Sequence, residues 1–421
     1  MDDNRGTVGP VWSGLENEPR ELLETTRRIV AADTQNPPGN TRALADWLAE
    51  EFRSLGCDCE RFAIDPMKPN IVATMPGASD FTLLYNGHLD TVPFREAEWT
   101  YDPLGEVDGD RLYGRGTTDM KGAIGAMLQV ARTYAKTDTE PPITMQFALV
   151  SDEEVGGEVG LDTQLQNAQL NPDACVVGEA TGRRDSNSIA VGDRGYVWPS
   201  IRYEGYAAHG SRPMFGENAI DRLYELVRTC RQRLRGLEIS TDGIDEAILA
   251  ESIEYYSTHL DRETATALFR SPTVNLGTFN GGSAVNTVPA SAEATLDVRV
   301  LPSVDSDAII ARIRDCLDAR DAATLVDVTC KAGSYTAPDS AVVRAMSRVV
   351  DDVVPTPVYR RFATGSGDAQ VFRDNGVPSV EFATGTGTAH AVDEYTTVDK
   401  LLRNALVYAR LPFEIDRIRG D

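Results

Sequence analysis

The chain has 421 residues, of which 41 are Lys or Arg and 65 are Asp or Glu, giving a formal net charge of −24. A hydrophobic content of 41% is enough to bury real cores, so global disorder is excluded, and the length predicts two domains of roughly 100–200 residues each. No apolar run approaches the roughly 20 residues that span a bilayer, and so acidic a surface is wrong for phosphate contact, so membrane and nucleic-acid partners are set aside.

The first dozen residues read as a loose tail without the basic-then-apolar profile of a signal peptide. Amphipathic patterns predict helices over 19–32 and 41–55, the second stopped by Gly56. Apolar runs predict strands at 81–85, 143–150 and 174–177. Between the first two, Met120, Ala123, Met127, Val130, Ala131 and Tyr134 mark one face of a helix. Strands alternating with helices predict an α/β sheet with helices on its faces. The pattern changes near residue 190. A strand over 196–203 precedes a helix with Ala219, Leu223, Leu226, Val227, Cys230 and Leu234 on one face, and residues 295–300 alternate with period two. This stretch reads as a smaller α+β unit inserted into the larger sheet. The expected boundaries are 1–189 for the first part of the main domain, 190–302 for the insert and 303–421 for the second part. Helices over 309–317, 340–353 and 398–409 and a strand at 380–382 resume the α/β pattern.

Only Lys68, Lys121, Lys136, Lys331 and Lys400 supply lysine; every other basic residue is arginine. That balance resembles proteins from salt-loving organisms, in which concentrated salt screens the self-repulsion of an acidic surface. Cys57, Cys59, Cys175, Cys230, Cys316 and Cys330 form no C-x-x-C pair, so buried free thiols and a reducing cytoplasm are expected.

Four histidines are present, and His88, His209 and His390 sit in glycine-containing, turn-rich contexts. His88 directly follows the strand at 81–85, where α/β sheets present their ligands. Asp90, two residues on, either shares a face with His88 or fixes its tautomer as a supporting carboxylate. Asp119 opens the amphipathic helix behind a Gly- and Thr-rich loop. Asp152, Glu153 and Glu154 follow the strand at 143–150, and such adjacent acids repel unless a cation offsets them. Of two neighbouring glutamates, one can ligate a metal while the other takes a proton from water. Glu179 follows the strand at 174–177, and His390 lies on a late glycine-rich loop. Together they form a nitrogen and oxygen ligand set without thiolate, suited to zinc, cobalt or manganese at a catalytic site.

The motifs then resemble a known family. In order they are Gly-His-Leu-Asp-Thr-Val-Pro at 87–93, Gly-Arg-Gly-Thr-Thr-Asp-Met-Lys-Gly at 114–122, Asp-Glu-Glu-Val-Gly-Gly at 152–157, Gly-Glu at 178–179, Ala-His-Gly-Ser-Arg-Pro at 208–213 and Gly-Gly-Ser-Ala-Val-Asn-Thr-Val-Pro at 281–289, followed by His390. This series is similar to the co-catalytic metallopeptidases of family M20, which include acetylornithine deacetylase, succinyl-diaminopimelate desuccinylase, aminoacylase and glutamate carboxypeptidase.

The resemblance implies a zinc-peptidase-like α/β catalytic domain carrying an inserted lid and dimerisation domain. It implies two divalent metal ions, zinc first, with cobalt or manganese as alternatives. Asp119 would bridge them, His88 and Glu179 completing one ion and Glu154 and His390 the other. Glu153 would be the general base, Asp90 would stand with it among the catalytic residues, and the peptide after Asp119 would be cis. His209 would donate to the oxyanion of the tetrahedral intermediate, often from the partner subunit of a homodimer. Arg194, Asn286 and Arg299 would hold the substrate, and Gly365, Ser366 and Gly367 would bind its α-carboxylate through backbone N–H groups. Gln370 stands where many relatives carry Arg. The implied activity is hydrolysis of the amide of an N-acyl amino acid, of the acetylornithine, acetyl-lysine or succinyl-diaminopimelate type. The alternatives are a dipeptidase or carboxypeptidase on the same scaffold, or a non-catalytic homologue that binds metal or amino acid.

Overall fold

The computed structural model describes residues 5–166, 170–183, 186–318 and 322–420. The three apolar runs become neighbouring strands. Thr82–His88 lies between Thr144–Val150 and Ala174–Val177 and runs parallel to both, with His88 level with Val150 and Asn86 level with Val177. Ser379–Glu381 adds a further parallel strand beside Ala174–Val177, and Asn70–Met75 and Asp58–Phe62 extend the other side antiparallel. From Leu83 onward every residue of Thr82–His88 is buried, as a central strand covered on both faces must be.

One face of the sheet packs its aromatic side chains against helices. Phe147 stacks on Phe52 of helix Arg42–Ser54 at 5.1 Å and on Tyr85 at 5.5 Å between ring centroids. Tyr85 gives its hydroxyl proton to the Tyr408 carbonyl of helix Val398–Gly420 at 2.6 Å. Helix Lys121–Lys136 is buried almost throughout on this side. The opposite face carries Leu84, Ala148, Val150, Cys175 and Val177 against Leu161, Ala369 and Phe372.

By internal packing the chain divides into two units, Met1–Val191 with Thr336–Arg360 and Gly367–Asp421, and Gly192–Tyr335 with Arg361–Ser366. The second is an antiparallel sheet in the order Thr273–Gly281, Ser291–Val300, Gly195–Glu204, Ala323–Lys331. In Ser291–Val300 alternate residues are buried, so Ala292, Ala294, Leu296, Val298 and Val300 face the unit's core.

This unit runs past the residue 302 expected from periodicity. Helix Ser306–Leu317 puts Ile309, Ile313 and Leu317 into the same core as Leu296 and Val298, beside helix Ala219–Arg235. Its apolar stripe is equally suited to either domain, so periodicity alone could not assign it. The expected N-terminal tail contains helix Arg5–Asn17, in which Val11 and Leu15 are buried. The described cysteines are free, and Cys330 is exposed where a buried thiol was expected. Among the described residues no helix is long and apolar enough to cross a membrane.

Phe147→Ala should lower stability by about 3–5 kcal/mol, because it deletes a fully buried ring between two others. Urea unfolding followed by circular dichroism checks this; an unchanged midpoint would remove the ring stack from the account.

Candidate metal centre

Parallel strands deliver their C-terminal ends to one edge of a sheet. His88 is the last residue of its strand, the loop carrying Glu153 and Glu154 follows Val150, and Glu179 lies two residues past Val177. Gly178 is required before Glu179, since a Cβ there would stand 2.8 Å from Ala123 Cβ and Met127 Cε. Gly122, in the first turn of helix Lys121–Lys136, has the same role beneath the loop bearing Asp119, because a Cβ there would meet the Thr117 carbonyl oxygen at 2.3 Å. The Asp119–Met120 peptide is cis. His390 holds a positive φ of 63° and Asp152 one of 81°, a conformation that non-glycine residues adopt only when their surroundings enforce it.

The structure brings His88, Asp119 and Glu179 together as one triad, and Asp119, Glu154 and His390 as another, each with its ligand atoms within 4.8 Å of one another. His88 Nε2 lies 3.0 Å from Asp119 Oδ1 and 3.2 Å from Glu179 Oε1, and His390 Nε2 lies 3.1 Å from Asp119 Oδ2 and 3.4 Å from Glu154 Oε2. A tetrahedral shell of radius about 2.1 Å has edges of about 3.4 Å, so these spacings suit atoms sharing an ion. Asp119 turns one oxygen to each triad.

The donor chemistry fits a cation. His88 Nδ1 is 3.0 Å from the Asp90 main-chain carbonyl, which can only accept, so Nδ1 carries a proton and Nε2, toward the two carboxylates, is the nitrogen left to meet a cation. Burial works against a charged His88, but Asp119 and Glu179 overcome it and hold its pKa well above the ordinary value. Asp119 and Glu154 raise that of His390 to about 10. Burial raises Asp119, yet His390 and His88 outweigh it and lower its pKa. Glu179 is pushed well above the carboxylate range by burial and then by Asp119, and Asp368 to about 8 by burial and then by Glu153. The site is thus built to hold positive charge at the centre of both triads, and a divalent cation answers both ring lone pairs and the crowded carboxylates together.

Asp90 departs from its expected role. Its carboxylate is 3.7 Å from His88 Nδ1, too far for a hydrogen bond; the backbone carbonyl of the same residue orients the ring instead. The carboxylate accepts backbone N–H groups from Asp152 at 3.0 Å, Glu153 at 3.2 Å and Glu154 at 3.2 Å, and the Asn36 side-chain amide at 2.8 Å. It therefore fixes the loop that carries Glu153 and Glu154. Glu154 Oε1 takes the Val92 N–H at 3.2 Å, which aims Oε2 at His390. No described side chain donates a hydrogen bond to the Glu153 carboxylate, and burial, its largest influence, raises its pKa.

Sequence reasoning missed Glu394 and Arg115. Glu394 is fully buried, accepts the backbone N–H of Thr118 at 2.8 Å and of Asp119 at 3.1 Å, and pairs with Arg115 at 2.7 Å. Arg115 also donates to the His390 carbonyl at 3.3 Å. One ion pair thus supports the backbone of two site residues. Both lie inside the motifs at 114–122 and after His390, but nothing in their local pattern shows that they meet. Asn36, Lys68 and Asp152 form a second such support, Asn36 bridging Asp90 and Asp152.

The remaining candidates belong to the second unit or its border. His209 Nδ1 accepts the Ser211 N–H at 3.2 Å, which leaves the proton on Nε2 in the neutral ring, the reverse of His88. His209 bridges Thr287, and Gly210 N–H donates to the Asn286 carbonyl at 2.6 Å, so His209 and Asn286 lie on one ribbon. Arg194, expected to grip a substrate carboxylate, is 2% exposed and gives Nη2 to Thr273 Oγ1 at 2.9 Å and the Arg299 carbonyl at 2.6 Å. It ties together strands of its own sheet. Arg299 pairs with Asp297 at 2.7 Å. Gly365 and Ser366 are exposed, Gly367 is half-buried with its Cα side toward Glu153, and Gln370 is fully buried.

Residues 84–414 match the model of peptidase family M20/M25/M40. The chain is 31% identical over 299 residues to an acetylornithine deacetylase of Vibrio campbellii, covering 70% of this chain and 71% of that one. Its fold is similar to that of an M20 family metallo-carboxypeptidase from Sulfolobus solfataricus, with a TM-score of 0.75, 21% identity and coverage of 94% and 99% of the two chains. It is also similar to a tripeptidase from Staphylococcus aureus, with a TM-score of 0.72, 22% identity and coverage of 95% and 99%. The chain belongs to peptidase family M20/M25/M40, as a metal-dependent amidohydrolase.

Proposed function

We propose that the chain hydrolyses the amide of N-acyl amino acids, with acetylornithine, acetyl-lysine and succinyl-diaminopimelate as the leading substrates. The observation that carries this reading is the pair of triads sharing Asp119 beside a glutamate whose carboxylate no described side chain engages. The similarity to acetylornithine deacetylases supports the acyl-amino-acid class over peptides.

Two divalent ions of the zinc, cobalt or manganese type, when bound by His88, Asp119, Glu154, Glu179 and His390, supply Lewis-acid activation of water and carbonyl. Glu153 accepts the proton of the attacking water and returns it to the departing amine, a task for which its raised pKa suits it. Asp90 holds the backbone of Glu153 so that this proton moves along a fixed path. His209, with its proton on Nε2, is the residue suited to donate to the oxyanion. The products are a carboxylic acid and a free amino acid.

A panel of N-acetyl, N-succinyl and dipeptide substrates tests the assignment. Turnover of an N-acyl amino acid that is lost on chelation and restored by zinc, cobalt or manganese is expected; full activity of chelated protein would end the metal mechanism. Glu153→Gln should retain metal while kcat falls by about 10²–10⁴, and wild-type turnover in this variant would remove the base assignment. Glu394→Gln should weaken metal binding by about 10–100-fold, since it loosens the loop under Asp119 without touching a ligand. Competition against a chromophoric chelator measures this, and unchanged affinity would count against the support described for Glu394.

A further inference from the structure

The loop at 365–367 takes its position from two short anchors. Strand Val358–Ala363 ends just before Thr364, and three exposed residues lead to Gly367 and helix Asp368–Asp374, whose Asp368, Ala369 and Gln370 are buried. A loop this short cannot be placed more accurately than the residues on either side.

The strand before the loop pairs with strand Asn187–Asp193, and its last residues are also held by side chains of a helical hairpin. Phe362 N–H donates to Ser252 Oγ at 3.1 Å, and Ser252, fully buried, passes its own proton to the Ile248 carbonyl at 2.7 Å. The guanidinium of Arg361 lies 4.8 Å from the ring centroid of Tyr255 and 5.7 Å from that of Tyr256, and its Nη1 donates to the Tyr256 hydroxyl at 3.4 Å. Cation–π contact with desolvated rings is the stronger form of that interaction, and Arg361 is only 8% exposed. The Phe362 ring packs on Tyr335 at 5.3 Å, and the Ala363 carbonyl accepts the Arg194 N–H at 3.3 Å.

Ser252, Tyr255 and Tyr256 all project from helix Glu246–Ser257, which joins helix Arg262–Arg270. The hairpin is internally complete. Asp245 and Asp261 cap its helices, Arg262 pairs with Glu254 at 2.9 Å and Tyr256 packs on Phe269 at 5.4 Å. The apolar face of the four-stranded sheet is filled by helices Ala219–Arg235 and Ser306–Leu317, so the hairpin is not needed to close that core.

We propose that this hairpin is the positioning element of the 365–367 loop. Through Arg361, Tyr256 and Ser252 it sets where the loop presents its backbone N–H groups, and so how tightly the carboxylate end of an N-acyl amino acid is held. The part concerning substrate rests on the proposed function; the part concerning the loop does not. Arg361, Tyr256 and Ser252 are positioning residues.

Hydrogen–deuterium exchange of the full chain and steady-state kinetics test this together. In Arg361→Met the amides of 364–367 should exchange at least about tenfold faster, with those of the strand Thr82–His88 unchanged. KM for an N-acyl amino acid should rise about tenfold with kcat within about twofold, and Arg361→Lys should recover part of the loss. The carboxamide of the same substrate, which lacks the carboxylate, should show the same KM in variant and wild type. If Arg361→Met fails to fold, Tyr256→Phe, which keeps the ring and removes the hydroxyl, carries the same exchange measurement. Unchanged exchange at 364–367 overturns the proposal whatever the activity, and equal losses on carboxylate and carboxamide overturn its substrate half. If the wild type cleaves no N-acyl amino acid, the proposed function falls, while the exchange data still decide the role of the hairpin.

Discussion

Like charges buried side by side cost several kcal/mol for each ion left without a counter-charge, and in this chain Asp90, Asp119, Glu153, Glu154, Glu179 and Asp368 all gather near the ends of the parallel strands. The structure divides them by partner. Asp90 spends its charge on the backbone of the Asp152–Glu154 loop, as Glu394 does on Arg115 and the backbone of Thr118 and Asp119. Of the others, Glu153 and Asp368 have their pKa values raised by burial, and Asp119, Glu154 and Glu179 face two imidazoles, an arrangement that positive charge settles. The sheet serves this arrangement by bringing the three strand ends to one edge.

Histidine shows how the division is enforced. His88 and His209 differ in which ring nitrogen the backbone engages. A carbonyl under Nδ1 makes His88 a lone-pair donor through Nε2, whereas an N–H against Nδ1 makes His209 a proton donor through Nε2. Two copies of one residue thereby acquire opposite chemistry from a single main-chain contact each.

The sequence was most legible where function follows local pattern. His88, Glu154 and Glu179 could be found because each trails an apolar strand into a polar turn, and Ser291–Val300 because its alternation has only one interpretation. What could not be read is long-range partnership. Arg115 with Glu394, Asn36 with Asp90, and the inward turn of Arg194 depend on segments far apart in the chain. The carboxylate of Asp90 has the right residue type for supporting His88, yet its backbone neighbours in the Asp152–Glu154 loop claim it first. The boundary expected at 302 failed for a related reason: an amphipathic helix records that it has a partner but not which sheet supplies it.

The two triads draw on residues spread from the first strand ends to the last loop, and this has a consequence for biosynthesis. His88 leaves the ribosome long before His390, and Arg115 waits equally long for Glu394. A nascent chain can assemble the sheet and offer a partial set of ligands, but it cannot close the second triad or lock the loop under Asp119. The second triad and the hold on the Thr118 and Asp119 amides therefore form together, once the segment carrying His390 and Glu394 has been made.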